Sequence, residues 1–265
     1  MRRGAYGRGM TTPAAPSLPA PSPPALLAVS HGTSSSVGAN AVATLVDGVA
    51  ARLAGGATGD GAPGDAVPVH AGFVDVQQPD VPTSLAALAG RTTVVVPLLL
   101  SAGYHVHVDL REDVDAAVGG GHDVTLGGAL GPDDRLVDVL ERRLADAGLR
   151  GDDVVVLAAA GSSDARATAD CETTAARLAE RLGRPVRVGY IANATPRVHE
   201  VVDEVREERP GRRVVVASYL LAPGFFADLA AKAGGDVTTA PLLVAGEDAP
   251  AELLDTVVDR YLAAT

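Results

Sequence analysis

The nine residues AGFVDVQQP (71–79) recur without a gap as VGYIANATP (188–196), and this recurrence decides the fold. A longer segment repeats in the same order along the chain. VVVPLLLSAGYHVHVDL (94–110) returns, with a short gap, as VVVASYLLAPGFFADL (214–229). The chain therefore contains two copies of one framework.

The turn after the first apolar run repeats as well, since SHGTS (30–34) corresponds to AAGSS (159–163). Short Val-rich runs alternate with helical patterns throughout, which is typical of parallel sheets with helices on both faces. We expect an α/β protein of two homologous domains, 25–149 and 150–265, joined near 149–152. Strands are predicted at 25–30, 67–74, 92–100, 122–126, 153–160, 184–191, 212–221 and 235–243. Helices are predicted near 35–54, 80–89, 105–117, 132–148, 164–182, 196–208, 224–234 and 249–263.

Composition limits the partners of the chain. Of its 265 residues 47% are hydrophobic, which is ample for a buried core, whereas aromatic residues make up only 3%. The net charge of −11, without a stripe of Lys and Arg, argues against nucleic acid as a partner.

No apolar run looks long enough to span a membrane. Residues 1–24 are basic and then rich in Pro, Ala and Ser, which predicts a disordered tail. The single Cys171 excludes an internal disulfide and fits a cytoplasmic location.

The two copies act as controls for each other. Residues that folding requires should occur in both, while residues that chemistry requires can survive in one. The matching positions favour a scaffold role at tight strand-to-helix turns. They are Gly32 and Gly161, Gly72 and Gly189, Pro79 and Pro196, and Gly103 and Gly224.

Three polar residues of the first copy are apolar in the second: His31 becomes Ala160, Asp75 becomes Ala192 and His105 becomes Phe226. Each polar residue lies at or just after the carboxyl end of a predicted strand, the edge where open α/β sheets bind ligands. Two imidazoles and a carboxylate suit a divalent cation, and imidazole also accepts protons near neutral pH. One site for metal capture and proton removal is therefore indicated.

A structural interpretation is open for each of them. His31 can be hydrogen-bonded within its turn, His105 can be a solvated loop residue, and Asp is common in loops.

The other candidate residues point less clearly to chemistry. We expect His107 to be exposed, His70 to lie in the core or at an edge, and Cys171 to be buried. His122 and His199 stand in no context that suggests chemistry. The Ser-rich turn 33–36 offers backbone amides to an anion at a helix N-terminus. No glycine-rich nucleotide motif follows a strand, so nucleotide binding of those types is excluded.

The motifs VSHGTSS (29–35), GFVDVQQPDVPTSL (72–85) and VVVPLLLSAGYHVHVDL (94–110) resemble sirohydrochlorin chelatases of the CbiX/SirB type, in their two-domain, double-length form. The resemblance runs from about Ala25 to Tyr261. Its most specific part is the pattern P-x-x-L-x-x-G-x-H-x-x-x-D-L at 97–110. The resemblance implies two chelatase-like domains with the active site in the cleft between them.

The same resemblance implies insertion of Co²⁺ or Fe²⁺ into sirohydrochlorin, on the route to cobalamin or sirohaem. His31 and His105 match the two active-site histidines and metal ligands of the family. Asp75 stands where many members have Glu, so its catalytic role carries over less directly. The resemblance requires no organic cofactor. For contact with the macrocycle we expect Gly32, Thr33, Ser34, Gly103 and Tyr104, and for its carboxylates Arg111, Arg166 and Arg197.

Three alternatives follow from the same residues. One is a chelatase of this family that uses nickel or another metal. Another is a carrier that binds a tetrapyrrole or a metal without inserting it. Phosphoryl transfer by the histidine turn is disfavoured, because no Arg precedes His31. A double-length chain can supply both walls of its cleft, which is compatible with a monomer.

Overall fold

The computed structural model describes residues 22–56, 66–103 and 108–265. In the first half the elements are β1 (Ala25–Ser30), α1 (Ser36–Gly56), β2 (Val69–Phe73), α2 (Val81–Ala87), β3 (Thr93–Pro97), α3 (Asp109–Gly119), β4 (Val124–Leu126) and α4 (Asp134–Asp146). In the second half they are β5 (Val154–Ala159), α5 (Ala165–Leu182), β6 (Val186–Tyr190), α6 (Val198–Glu208), β7 (Val214–Tyr219), α7 (Phe225–Ala231), β8 (Val237–Thr238) and α8 (Ala251–Leu262).

Each half forms a four-stranded parallel sheet, and the two sheets have equivalent strand orders. The orders are β2-β1-β3-β4 and β6-β5-β7-β8. The registers are equivalent too, since Val29 pairs with Gly72 in the first sheet and Ala158 pairs with Gly189 in the second. The predicted α/β class and the internal repeat are confirmed.

The central strands β1 and β7 are buried along their whole length, as their mainly apolar sequences predict for strands covered on both faces. All eight strands occur where the sequence predicts them, but β8 has only two residues. Beyond β8 the amides of Leu242 and Leu243 donate to the carbonyls of Leu220 and Leu221, where the chain follows β7 without continuing the strand.

The last helix crosses back to the first half of the chain. Helix α8 packs on α1, α4 and β3, and its Leu253 is fully buried. The Tyr261 hydroxyl donates to the Pro24 carbonyl at 2.8 Å, and the Arg260 Nε donates to the Ala129 carbonyl at 2.8 Å. The helix that ends the second repeat therefore covers the first sheet.

Helix α4 makes the reciprocal crossing and packs on β7 and α5 of the second half. The Tyr219 hydroxyl, buried at the end of β7, donates to the Leu100 carbonyl of the first half at 2.9 Å. One hydrophobic cluster accordingly includes residues of both halves, such as Leu26, Leu140 and Leu157. The other face of each sheet has a separate, smaller cluster.

By length and composition alone α1 could cross a membrane, because residues 36–55 have a mean hydropathy of 1.2. The sequence expectation that no run is long enough overlooked this helix. Its Ala41, Leu45 and Val49 are buried in the cluster shared by both halves. An apolar face of this kind is what a core helix requires, so the composition alone does not indicate a membrane span.

Candidate functional site

His31 follows β1 directly, and its backbone is fixed against the loop that follows β2. Its carbonyl accepts the amide of Asp75 at 2.9 Å, while the carbonyl of Ser30 accepts the amide of Val74 at the same distance. Since β1 and β2 are parallel neighbours, these bonds hold the two loops side by side at the carboxyl edge. The His31 side chain is exposed there.

Gly32 allows the two loops to approach this closely. It has a φ of +91°, and a Cβ built on it would lie 2.0 Å from the Asp75 carbonyl oxygen. A side chain at position 32 would therefore push the loop of Asp75 away from the loop of His31.

The side chain of Gln77 strengthens the same contact. Its side-chain Oε1 accepts the backbone amide of Thr33 at 2.9 Å, and the backbone amide of Gln77 donates to the Asp75 carbonyl at 2.7 Å. Sequence reasoning did not select Gln77. The signal was present, because the corresponding residue of the second half is Ala194, the same type of difference as at Asp75.

The backbone next to Asp75 is strained. Val76 has a φ of +65°, a region that β-branched residues rarely occupy, and 57% of its surface is exposed. The Asp75 Oδ1 accepts the amide of Val76 at 2.7 Å. The equivalent Asn193 has a φ of +54° beside Ala192, which has no such acceptor, so the conformation belongs to the shared framework.

The Ser-rich turn satisfies several of its own amides. The amide of Ser35 donates to the Thr33 Oγ1 at 3.1 Å, and the amide of Gly38 donates to the Ser35 Oγ at 3.2 Å, which caps α1. With the Thr33 amide bound to Gln77, three amides of this turn and the first turn of α1 have acceptors inside the protein. Fewer backbone amides are thus available to bind an anion at this turn than the sequence predicts.

The second half has the same loop geometry without the polar groups. Gly161 has a φ of +88°, and a Cβ there would lie 1.9 Å from the Ala192 carbonyl oxygen. The carbonyl of Ala160 accepts the amide of Ala192 at 2.9 Å, as His31 does for Asp75. The scaffold is therefore common to both halves, whereas the imidazole and the carboxylate belong to the first.

The carboxyl edge of each sheet contacts the other half. A Cβ on Gly103 would lie 3.1 Å from the Ser162 Oγ, and a Cβ on Gly224 would lie 3.4 Å from the Thr33 Oγ1. Because Gly103 corresponds to Gly224 and Ser162 to Thr33, the two contacts are related by the repeat. The amide of Ala102 also donates to the Asp170 Oδ2 at 2.8 Å.

Not every predicted site residue can be placed. His105, Tyr104 and His107 lie outside the described residues. Within 22–56, 66–103 and 108–265, no group of three His, Cys, Asp or Glu residues stands close enough to hold a metal ion. The structure thus brings His31 and Asp75 together through their backbones, and the predicted pairing of His31 with His105 stays a prediction.

The remaining histidines lack the geometry of a site. His122 Nε2 lies 2.9 Å from the Arg91 carbonyl oxygen and ties β4 to the loop before β3. His70 is exposed on the edge strand β2, in agreement with the edge alternative, and His199 is exposed on α6. Cys171 is buried as predicted, and its burial raises the pKa of the thiol to about 12.

The arginines proposed for substrate carboxylates differ in their surroundings. Arg166 is ion-paired with Asp164 at 2.7 Å, and the Arg197 Nη1 donates to the Ile191 carbonyl at 2.9 Å. Arg111 is exposed on the first turn of α3. Two of the three guanidinium groups therefore already have partners within the protein.

Two surface concavities of the described part lie away from His31. One, of about 390 Å³, is lined by Arg206, Arg209, Arg212 and Arg213 at the amino edge of the second sheet. The other, of about 970 Å³, lies between α4, β8 and the start of α8. The arginines of the first are largely ion-paired, for example Arg212 with Asp152 at 2.7 Å.

The fold and the edge residues define an α/β protein of two equivalent halves, with the imidazole and the carboxylate on one of the two equivalent edges. Sequence comparison gives the family: the chain belongs to the CbiX family, which it matches over residues 25–147 and 154–233. Among curated proteins no sequence matches the chain.

Solved structures share the fold. SirB from Bacillus subtilis, solved with Fe³⁺, is 21% identical with a TM-score of 0.71, over 91% of this chain and 95% of that one. The sirohydrochlorin chelatase SirB from Bacillus subtilis subspecies spizizenii, in complex with cobalt, gives 21% identity and a TM-score of 0.67 over the same shares. A multi-domain protein from Deinococcus radiodurans, described as structurally similar to chelatases, is 22% identical with a TM-score of 0.54. The match covers 91% of this chain and 54% of that one.

Proposed function

We propose that the protein is a sirohydrochlorin chelatase, which inserts a divalent metal ion, Co²⁺ or Fe²⁺, into the sirohydrochlorin macrocycle. The observation that carries the proposal is the asymmetry of the two edges. His31 and Asp75 occupy a loop pair whose backbone is reproduced at Ala160 and Ala192, so folding does not require an imidazole or a carboxylate there. Membership of the CbiX family and the fold shared with SirB support the same reaction.

In the proposed reaction the metal ion is a substrate, and His31 binds it first. An exposed imidazole at the end of β1 is a suitable ligand for a borderline divalent cation. His105, which follows β3, is proposed as the second ligand. Because β3 pairs with β1 directly, the chain leaves β3 beside the loop of His31.

Insertion exchanges protons for metal. The macrocycle loses its two pyrrole N–H protons, and the metal ion forms bonds to the four ring nitrogens, so each turnover releases two protons. Asp75 is proposed to accept a proton, because its loop is bonded directly to the backbone of His31. Fixing metal ligand and base on one rigid edge would bring the reacting groups together before the macrocycle arrives.

The test is an anaerobic assay in which sirohydrochlorin is mixed with Co²⁺, Fe²⁺ or Ni²⁺ and its absorbance change is followed. The wild-type protein should insert a metal well above the uncatalysed rate, and the preferred metal should stand out in the comparison. His31→Ala and His105→Ala should each abolish this excess. His70→Ala and His199→Ala are matched controls, because both histidines are exposed elsewhere and should leave the rate unchanged.

The same assay separates a chelatase from a carrier. If the protein bound sirohydrochlorin or metal tightly while insertion stayed at the metal-only rate, the chelatase proposal would be wrong. The histidine variants would then weaken binding with no turnover to lose.

A further inference from the structure

Large apolar side chains are exposed in an uneven distribution over the described surface. Four of the six that stand out lie near the facing carboxyl edges, and the other two, Val118 and Leu262, lie at helix ends elsewhere. We call the four the apolar rim. They are Val37, Val76, Phe225 and Phe226.

Backbone contacts bring the segments of the rim together. Val76 follows Asp75, whose carbonyl oxygen lies against Gly32. Val37 precedes Gly38, where a Cβ would lie 2.2 Å from the carbonyl oxygen of Pro223 in the second half. A loop and two helix N-termini, taken from both halves, therefore bring the rim to the neighbourhood of His31.

The second half contributes aromatic rings. Phe225 and Phe226 follow Gly224, which packs against Thr33, and their ring centroids are 6.1 Å apart with a tilt of 38°. Phe225 is 70% exposed and Phe226 is 38% exposed. The chain has only three Phe residues and no Trp, so placing two of them in water at this edge is unusual.

Phe226 also occupies the position that corresponds to His105 of the first half. Where one copy has a polar residue after the Gly turn, the other has an apolar ring at the equivalent place. The two copies thus differ in a complementary way, with the proposed metal ligands in one and a pair of aromatic rings in the other.

We infer that Phe225 and Phe226, with Val76 and Val37, form the platform that receives the flat apolar face of the macrocycle and presents its ring nitrogens to the edge of His31. This inference rests on the proposed function. Offset stacking of aromatic rings and burial of apolar area are the interactions such a platform would supply. The platform holds the substrate and takes no part in the proton or metal transfer.

The first experiment compares the wild-type protein with the double variant Phe225→Ala, Phe226→Ala. Metal-free sirohydrochlorin is titrated by absorbance, and insertion of the metal that gives the wild type its highest turnover is followed at varied macrocycle concentration. Loss of the two aromatic rings should raise the Kd and the KM for the macrocycle by about 10-fold or more. The kcat and the half-saturating metal concentration should stay within about twofold, because the metal ligands are untouched.

Two control variants make the result specific. Phe225→Tyr, Phe226→Tyr keeps the aromatic faces and should restore a KM near that of the wild type. Val118→Ser, Leu262→Ser removes exposed apolar side chains away from the rim and should change neither constant.

The outcomes distinguish the two proposals. A wild type that inserts metal, with an alanine variant of unchanged Kd and KM, would overturn the platform and leave the chelatase intact. A wild type that neither binds nor metallates the macrocycle would overturn both. If sedimentation showed that the alanine variant converts a dimer to a monomer, and KM followed dimer concentration, the rim would be a contact with a second copy and the platform would be wrong.

Discussion

The carbonyl oxygen of Asp75 lies only 2.0 Å from the point where a Cβ on Gly32 would stand. The same relationship joins Gly161 to Ala192 in the second half, at 1.9 Å. The spacing between the two loops is thus a property of the framework, and the first half uses that framework to set His31 next to Asp75.

Gly32→Ala should destabilise the protein and abolish insertion. The new methyl group would contact a backbone atom, and alanine would be held at a φ of +91°, so we expect a loss of about 2–4 kcal/mol in the free energy of unfolding. Urea denaturation measures the loss. Gly55→Ala is the control, because Gly55 lies within α1 with no neighbouring atom within 4 Å and should gain up to about 1 kcal/mol.

Gly161→Ala is a second comparison, because the new methyl group would lie as close to the Ala192 carbonyl oxygen as that of Gly32→Ala lies to the Asp75 carbonyl oxygen. The second half has Ala160 in place of His31. Gly161→Ala should destabilise the protein to a similar degree. Equal stability of Gly32→Ala and the wild type would show that the loops can separate without cost, contrary to our interpretation.

Asp75→Asn should lower the rate of insertion at least about 10-fold while leaving the fold intact. The amide oxygen of Asn can still accept the Val76 amide that Asp75 Oδ1 now holds, so the strained turn is retained and only the charge and basicity are lost. Asp75→Ala removes the acceptor as well and should lower the melting temperature in addition. Insertion kinetics and thermal unfolding separate the two effects. Full activity of Asp75→Asn would exclude Asp75 as the proton acceptor.

Leu253→Ala should destabilise the protein by about 2–5 kcal/mol, because the side chain is fully buried where α8 covers the first half. Leu262→Ala is a matched control on the same helix, and since its residue is 57% exposed the change should be within about 0.5 kcal/mol. Hydrogen exchange should show increased opening of β3 and α1 in the Leu253 variant. If exchange rose only in the second sheet, the packing of α8 would be wrong.

The sequence predicted the eight strands and the repeat because parallel strands buried on both faces are mainly apolar runs, as in β1 and β7. It did not predict that α8 packs on the first sheet, 100 residues and more away from it in the chain. The amphipathic pattern of a helix specifies that one face is buried but not which sheet covers it. That choice depends on tertiary contacts such as the bond from Tyr261 to the Pro24 carbonyl.

The candidate site was predictable to the extent that it differs between the two copies. That comparison selected His31 and Asp75 as candidates, and it could have selected Gln77 as well. The strain at Val76 and the internal capping of the Ser-rich turn could not, because both depend on backbone conformation. The exposure of Phe225 and Phe226 was also beyond the sequence, since apolar residues that open a helix are more often buried.

Cys171 should resist thiol reagents in the folded protein. Burial, and to a lesser degree the charge of Asp170, raises the pKa of the thiol to about 12, so almost no thiolate exists at pH 8. Reaction with an aromatic disulfide reagent should be slower than that of the unfolded chain by a factor of about 100 or more. Rapid labelling of the native protein at pH 8 would show that α5 opens readily.

Acid should weaken the attachment of α8 to α4, because two carboxylates there have lowered pKa values. Burial raises the pKa of Asp133, but hydrogen bonds and charge from Arg135 and the charge of Arg260 outweigh it and lower the pKa overall. A bidentate hydrogen bond from Arg142 lowers the pKa of Glu252. Both carboxylates bind protons less readily in the folded chain than in the unfolded one.

The direction of the pH effect follows from this difference. The stabilisation is fully present above the unfolded pKa values, about 4 for these side chains, and is lost as the pH falls through the lower folded values. Asp133→Asn should reduce the free energy of unfolding at pH 7 and make its decline between about pH 5 and pH 2 shallower. Urea denaturation at several pH values measures both, and Asp115→Asn on the exposed side of α3 corrects for the loss of one negative charge. If Asp133→Asn declined as steeply as the control, the carboxylate would not couple folding to protonation, and its bonds to Arg135 and Arg260 would contribute nothing to holding α8 in place.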